Sequence, residues 1–264
     1  MKKIWLMGGL GNILFQILAH DILKKNNYKE VFFVNLLTKK NRLTKLLNWK
    51  IHQQLYSKII KENQFIEVST IDMFRILTVG FLSKLSNNYF SLSTFYQKNI
   101  SFHNEKISEN IFGYFQEKNF LNNHRIEIIA MGEKLNQMFY KISNNDIVVH
   151  YRGGDSAWSL LYNDYYIKVR EILSEEVGNI CVVTDSLKEA NVFFGEFNNI
   201  QIVSSKNAID DFVIMISTNN KLYCAPSTFS WWAAHSLSKS KHIIAPKFLD
   251  EHLGMYTIGN LTLL

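Results

Sequence analysis

Hydrophobic and polar positions follow two repeats along this chain, and the change from one to the other marks its elements. Apolar runs of four or five residues read as buried strands, and apolar residues at i, i+3, i+4 and i+7 read as helices with one buried stripe. Lys3 to Met7 reads as a strand, Gly8-Gly9-Leu10-Gly11 as a tight turn, Asn12 to Lys25 as a helix and Val31 to Asn35 as a second strand. This is a βαβ opening. From Lys39 to Asn110 the chain is rich in Lys, Asn and Ser with short apolar runs, which predicts mixed helices and loops.

Arg125 to Lys141 carries Ile128, Ile129, Met131, Leu135, Met138 and Phe139 at helical spacing and precedes a polar hinge, Ser143-Asn144-Asn145. The expected domains are therefore 1–142 and 143–264. Beyond the hinge the alternation is regular. Strands are predicted at 147–151, 180–184, 200–203, 221–225 and 242–245, and helices at 162–173, 187–194, 209–217 and 228–237. Ile209, Phe212, Val213 and Ile216 form one stripe, as do Tyr162, Tyr165, Tyr166 and Val169. Strands alternating with such helices imply an α/β fold with parallel sheets, built as two nucleotide-binding-type halves facing a cleft.

Composition narrows the functional classes. With 264 residues, 47% hydrophobic, 20% charged, 12 Gly and 2 Pro, the chain is neither collagen-like nor largely disordered. Its 29 Lys and Arg against 23 Asp and Glu leave a net +6, suited to an anionic ligand or surface. The basic residues are scattered; the short cluster Lys39, Lys40, Arg42 and Lys45 reads as a solvated face, and no basic stripe with interleaved aromatics points to nucleic acid. Cys181 and Cys224 lie in apolar runs and read as core residues of a reducing compartment. No apolar stretch is long enough to span a membrane, and glycines interrupt the signal-like start. The eight histidines lack metal-ligand spacing, and there is no Asp-x-Asp to hold a divalent ion against a diphosphate.

Three segments carry candidate chemistry. Gly8-Gly9-Leu10-Gly11-Asn12 joins a strand to a helix, where bare backbone can approach a phosphate; a tight turn capped by Asn12 explains it equally well. Leu14 and Asn35 stand where a dinucleotide fingerprint needs a glycine and an acid, which disfavours an oxidoreductase. His150-Tyr151-Arg152-Gly153-Gly154-Asp155 ends a buried strand, placing the planar fork of Arg152 at a carboxyl edge where it could grip a diphosphate. A turn in which Asp155 orients Arg152 is the plainer reading. Ser227-Thr228-Phe229-Ser230 opens a helix whose hydroxyls and amides could hold phosphate oxygens or serve as caps alone. Trp232 reads as core, with Trp231 about 100° away from it around the helix. Thr184-Asp185-Ser186 could touch a ligand or be turn chemistry, and Gly113-Tyr114-Phe115-Gln116 reads as an aromatic core segment.

These segments, in this order, resemble the bacterial α-1,2-fucosyltransferases of glycosyltransferase family 11. The resemblance runs from Gly8-Gly9-Leu10-Gly11-Asn12-Ile13-Leu14-Phe15-Gln16 through Gly113 to Phe120, His150 to Asp155 and Thr184-Asp185 to Ser227-Thr228-Phe229-Ser230-Trp231-Trp232-Ala233-Ala234 and Ile244-Ala245-Pro246. It implies a GT-B fold of two Rossmann-like domains, an acceptor-side one followed by one that binds the donor. It also implies inverting, metal-independent transfer of fucose from GDP-β-L-fucose to a galactoside 2-hydroxyl. By resemblance Arg152 holds the donor diphosphate and His150 lies beside the guanosine; Asp155 joins them in the catalytic set as the partner that orients Arg152, and no residue is singled out as the base. Gly9, Gly11 and Asn12 form a loop over the donor, joined by Asp185, Ser227, Thr228, Phe229 and Ser230. No cofactor or metal is implied. The acceptor would be a galactose-containing, lipid-linked unit of a surface polysaccharide such as O-antigen or lipopolysaccharide. The enzyme would work in the cytoplasm, with its basic surplus allowing peripheral contact with the anionic inner face of the plasma membrane. The chain departs from the family at Gly153, usually a second arginine, and at Ile13, usually a glutamine. Gly153 leaves room for a different GDP-sugar or linkage, and a non-catalytic nucleotide-sugar or glycan-binding module is the reading from another class.

Overall fold

The computed structural model describes residues 1–6, 8–34, 59–61, 64–66, 96–97, 110–111, 113–153, 162–205, 207–256 and 260–264. Most of the stretch from 39 to 110, the Lys39 to Lys45 cluster, Asn35 and Asp155 lie outside them. The chain is an α/β protein that divides into two compact units, Met1–Gln116 and Glu117–Leu264.

In the first unit, β1 (Lys2–Trp5), α1 (Leu10–Lys25) and β2 (Val31–Val34) form the expected βαβ opening. Two further short strands, β3 (Tyr96–Gln97) and β4 (Asn110–Ile111), complete a parallel sheet in the order β2-β1-β4-β3. Lys2 pairs with Val31 and Ile4 with Ile111, so the segments after β1 and β4 leave the same carboxyl edge side by side. Helix α1 starts at Leu10, with Gly9 rather than Asn12 at its N-cap. Asn12 lies in the first turn, directly over Gly8, which has φ +85 and no room for a Cβ beneath the Asn12 amide. Only glycine meets both demands. Ile13 is wholly buried, a core side chain of α1.

The second unit begins with α2 (Lys118–Asn123) and α3 (Arg125–Phe139). It continues with β5 (Ile147–Tyr151), α4 (Asn163–Leu173), β6 (Ile180–Thr184), α5 (Leu187–Phe194) and β7 (Ile200–Val203). Next come α6 (Ala208–Ile216), β8 (Lys221–Tyr223), α7 (Thr228–His235), β9 (His242–Ala245), α8 (Lys247–His252) and β10 (Asn260–Leu263). The strands are parallel in the order β10-β9-β8-β5-β6-β7. Counted outward from β5 this is the doubly wound nucleotide-binding order, and it reverses between β5 and β8, the switch point where such sheets bind ligands.

One face of the sheet buries Ile147, Val149 and Tyr151 against Tyr165, Tyr166, Val169 and Leu173 of α4 and Phe194 of α5. Helices α3, α6 and α7 pack on one another. Gly132 of α3 lets two backbones touch, since a Cβ there would collide with the carbonyl oxygen of His235 on α7. Four residues on, Asn136 Nδ2 donates to Ser236 O at the end of α7 (2.7 Å). These contacts bind α3 to the second unit and move the division from the expected 142/143 to 116/117. The hinge expected at 143–145 is tied to the start of β8 instead: Asn219 donates its backbone N–H to Asn145 O (2.8 Å) and its Nδ2–H to Ser143 O (2.9 Å).

Cys181 and Cys224 are buried free thiols. Burial pushes the Cys181 thiol up to about 11, which removes it as a nucleophile at neutral pH.

Candidate active site

Strand β5 is buried along its whole length and ends at the switch point, so its last side chains are delivered to the carboxyl edge from a rigid base. His150 is 6% exposed and its Nδ1 lies 2.5 Å from Ser230 Oγ of α7. Ser230 Oγ also accepts the Ala225 backbone N–H (2.9 Å), so one hydroxyl joins the His150 ring to the end of β8. Burial, and then the positive charge of Arg152, lowers the His150 pKa to about 3. The imidazole is therefore neutral at any working pH and serves as a fixed dipole rather than a proton carrier. Phe229 packs edge-on against it, ring centroids 5.4 Å apart.

Arg152 follows β5 on the same face as His150, and its backbone N–H donates to the Tyr166 hydroxyl (3.1 Å). Burial, the largest influence, holds that phenol well above its usual pKa, so it remains a neutral partner.

Across the switch point, α7 presents its first turn. Ser227 is the N-cap and accepts the Ser230 N–H (3.2 Å). The amides of Thr228 and Phe229 belong to the helix end whose donors have no intrahelical acceptor. The first turn of α7 carries no acidic residue, whereas that of α6 holds Asp210 and Asp211. The positive end of α7 is thus unneutralised by its own side chains, close to Arg152 in the fold, and suited to an anion.

The remaining predicted residues divide by what they touch. Ser230, one of the expected donor-binding residues, is wholly buried and is hydrogen-bonded to His150 and the Ala225 N–H. Asp185 is exposed and accepts the Gly153 N–H through Oδ1 (3.0 Å), fixing the turn after β5 to the end of β6. Thr184 Oγ1 accepts the Ser186 N–H (3.0 Å), the turn chemistry read as one alternative. A Cβ at Gly153 would lie 2.5 Å from Glu189 Oε2 and 2.9 Å from Tyr151 Cε1. A side chain at this position would therefore meet the Glu189 carboxylate of α5. Next to it Tyr151, Tyr166, Lys188, Glu189 and Phe193 line a cavity of about 260 Å³, below the range of ~300–1,000 Å³ usual for small-molecule sites.

In the first unit Gly9 is exposed with open space where a Cβ would be, and Gly11 is buried. Asn12 Oδ1 accepts from Gln116 Nε2 (2.8 Å), so its carbonyl holds the 113–116 segment in place. Two contributors have no signal in the sequence, Glu189 against Gly153 and the cap Asn207, whose side chain accepts the Ile209 N–H; Tyr166 and Gln116 read there as core positions, and their contacts with Arg152 and Asn12 are not foreseen. The pairing of His150 with Ser230 joins two motifs read separately, across 80 residues. Among the described residues no three His, Cys, Asp or Glu side chains gather as a metal site, and no helix is long and apolar enough to cross a membrane.

No family model matches the chain, and no curated protein matches its sequence. Among solved structures it is similar to the fucosyltransferase NodZ from Bradyrhizobium, with TM-score 0.40 and 12% identity over 89% of this chain and 93% of that one. It is also similar to MnaA of S. aureus in a structure with UDP (0.49, 8%, 93% and 79%). A third is WaaG, a glycosyltransferase involved in lipopolysaccharide biosynthesis (0.37, 11%, 100% and 86%). Likeness at this level says nothing of what this chain binds, which has to be argued from its own side chains.

Proposed function

We propose that the protein is a GT-B-type glycosyltransferase that moves L-fucose from GDP-β-L-fucose to the 2-hydroxyl of a galactoside, without a metal. The observation that carries this reading is the placing of Arg152 at the β5 end of the switch point, with the acid-free first turn of α7 at the β8 side. The acceptor oxygen attacks the anomeric carbon while the bond from that carbon to the diphosphate oxygen breaks, and the hydroxyl proton leaves to base. Negative charge grows on the departing GDP. Arg152 and the α7 amides are fixed before reaction, so they stabilise that charge more in the transition state than in the ground state. His150, held neutral by burial and by the charge of Arg152, offers its ring to the donor without adding charge.

The second unit is then the donor side and the first the acceptor side. A net +6 suits an acceptor carried on lipid at an anionic leaflet. A glycine at 153, with Glu189 rather than a second cation beside it, leaves as a second reading transfer from another GDP-sugar.

The test is purified protein with GDP-fucose, GDP-mannose or UDP-sugars and a panel of β-galactosyl disaccharides, with and without EDTA. Fucosyl transfer indifferent to EDTA is expected, with Arg152→Ala lowering kcat about 10²–10³-fold. A folded Arg152→Ala protein of near-normal rate, or loss of activity in EDTA, overturns the mechanism.

A further inference from the structure

The Gly113–Gln116 segment of the first unit is built in a way that simple packing does not require. It leaves β4 at the carboxyl edge beside the turn that follows β1. Two side chains of α1 pin it: wholly buried Gln16 donates Nε2–H to Gly113 O (3.1 Å), and Asn12 Oδ1 accepts from Gln116 Nε2 (2.8 Å). Between the pins Phe115 has φ +53, the left-handed region that costs a non-glycine residue about 1–2 kcal/mol. Phe115 is 2% exposed, and its neighbour Tyr114 is 41% exposed. The aromatic core expected here is therefore half right: Phe115 is core and Tyr114 is surface. Backbone strain of this kind persists where the surroundings impose it, and it gathers at ligand sites.

Tyr114 brings an aromatic face with a polar tip, and burial raises its pKa, so the hydroxyl stays a donor. Gln116 spends one N–H on Asn12; its Oε1 and second N–H have no commitment among the described residues. A half-exposed aromatic ring two residues from an amide held on Asn12 supplies the two surfaces a pyranose needs, one for its face of C–H groups and one for its rim of hydroxyls.

We propose that Tyr114 and Gln116 form the acceptor-sugar subsite, the ring stacking on the apolar face of a galactoside and the amide meeting its hydroxyls. This rests on the transferase reading, so the test measures acceptor and donor binding separately on the full chain. Saturation-transfer NMR follows methyl β-galactoside with and without GDP, and calorimetry follows GDP alone. Tyr114→Ala is expected to weaken galactoside binding and raise the acceptor KM about tenfold or more, while the GDP Kd and the kcat of donor hydrolysis stay within about twofold. Tyr114→Phe keeps most of the affinity, and Gln116→Ala weakens it with the fold intact. A wild-type protein that fails to bind the galactoside in either condition overturns the subsite, as does Tyr114→Ala or Gln116→Ala binding it as well as wild type. Failure of GDP to bind, with galactoside binding still dependent on Tyr114, overturns the transferase reading and leaves the sugar subsite standing.

Discussion

At the scale of single residues, Ser230 is the point where the site is most sensitive. Its hydroxyl answers the Ala225 N–H and His150 Nδ1 together, inside a region without solvent. Ser230→Ala leaves a buried N–H unmet, which costs about 1–3 kcal/mol, and frees the imidazole to rotate. Urea unfolding should show that loss of stability, and kcat should fall with little change in acceptor KM; unchanged stability together with unchanged kcat would dismiss the positioning role. Arg152 depends on its neighbours in the same way, since Tyr166 holds its backbone and Asp185 holds the next N–H. None of these pairings is visible in one sequence, because each contact is made by strands and helices whose adjacency is a property of the fold.

At the scale of elements, the second half of the chain was legible because each helix there buries one stripe and each strand is short and apolar. Strands β5, β6, β7 and β9 match their expected bounds, and α4, α6 and α7 differ from theirs by at most two residues at either end. What stayed hidden lacks a periodic mark. The last strand, β10, alternates between partly exposed and exposed positions and shows no apolar run. The allegiance of α3 turns on Gly132, which reads as an ordinary glycine until a second backbone lies against it. Gly132→Ala should therefore lower the thermal midpoint by the equivalent of about 1–3 kcal/mol, as overpacking against unyielding backbone does. A midpoint equal to wild type would mean that α3 and α7 can separate without loss.

At the scale of the whole molecule, two buried histidines tie stability to pH. Burial lowers His150 to about 3 and His235 to about 4. His235 stays neutral while its Nε2 accepts the Tyr256 N–H (3.1 Å) and its Nδ1–H donates to Trp231 O (2.7 Å). In the unfolded chain both rings titrate near 6.5, so below that pH the unfolded state takes up protons that the folded state refuses. Stability is full above about 6.5 and is lost as pH falls through about 4 towards 3, at up to about 1.4 kcal/mol per pH unit for each ring. Thermal midpoints should drop between pH 7.5 and pH 5, and His235→Gln should flatten that dependence; a midpoint constant over this range counts against both assignments.

The bond between His150 and Ser230 also sets an order of events during synthesis. His150 leaves the ribosome 80 residues ahead of Ser230. At ~5–20 residues per second the ring then waits about 4–16 s for its partner. Through that interval β5, apolar at every position but its histidine, has β6 on one side and no β8 to pair with on the other, so the nascent chain exposes one edge of the strand that leads to Arg152. A chaperone that shields one segment of this protein during translation has its reason to choose that one.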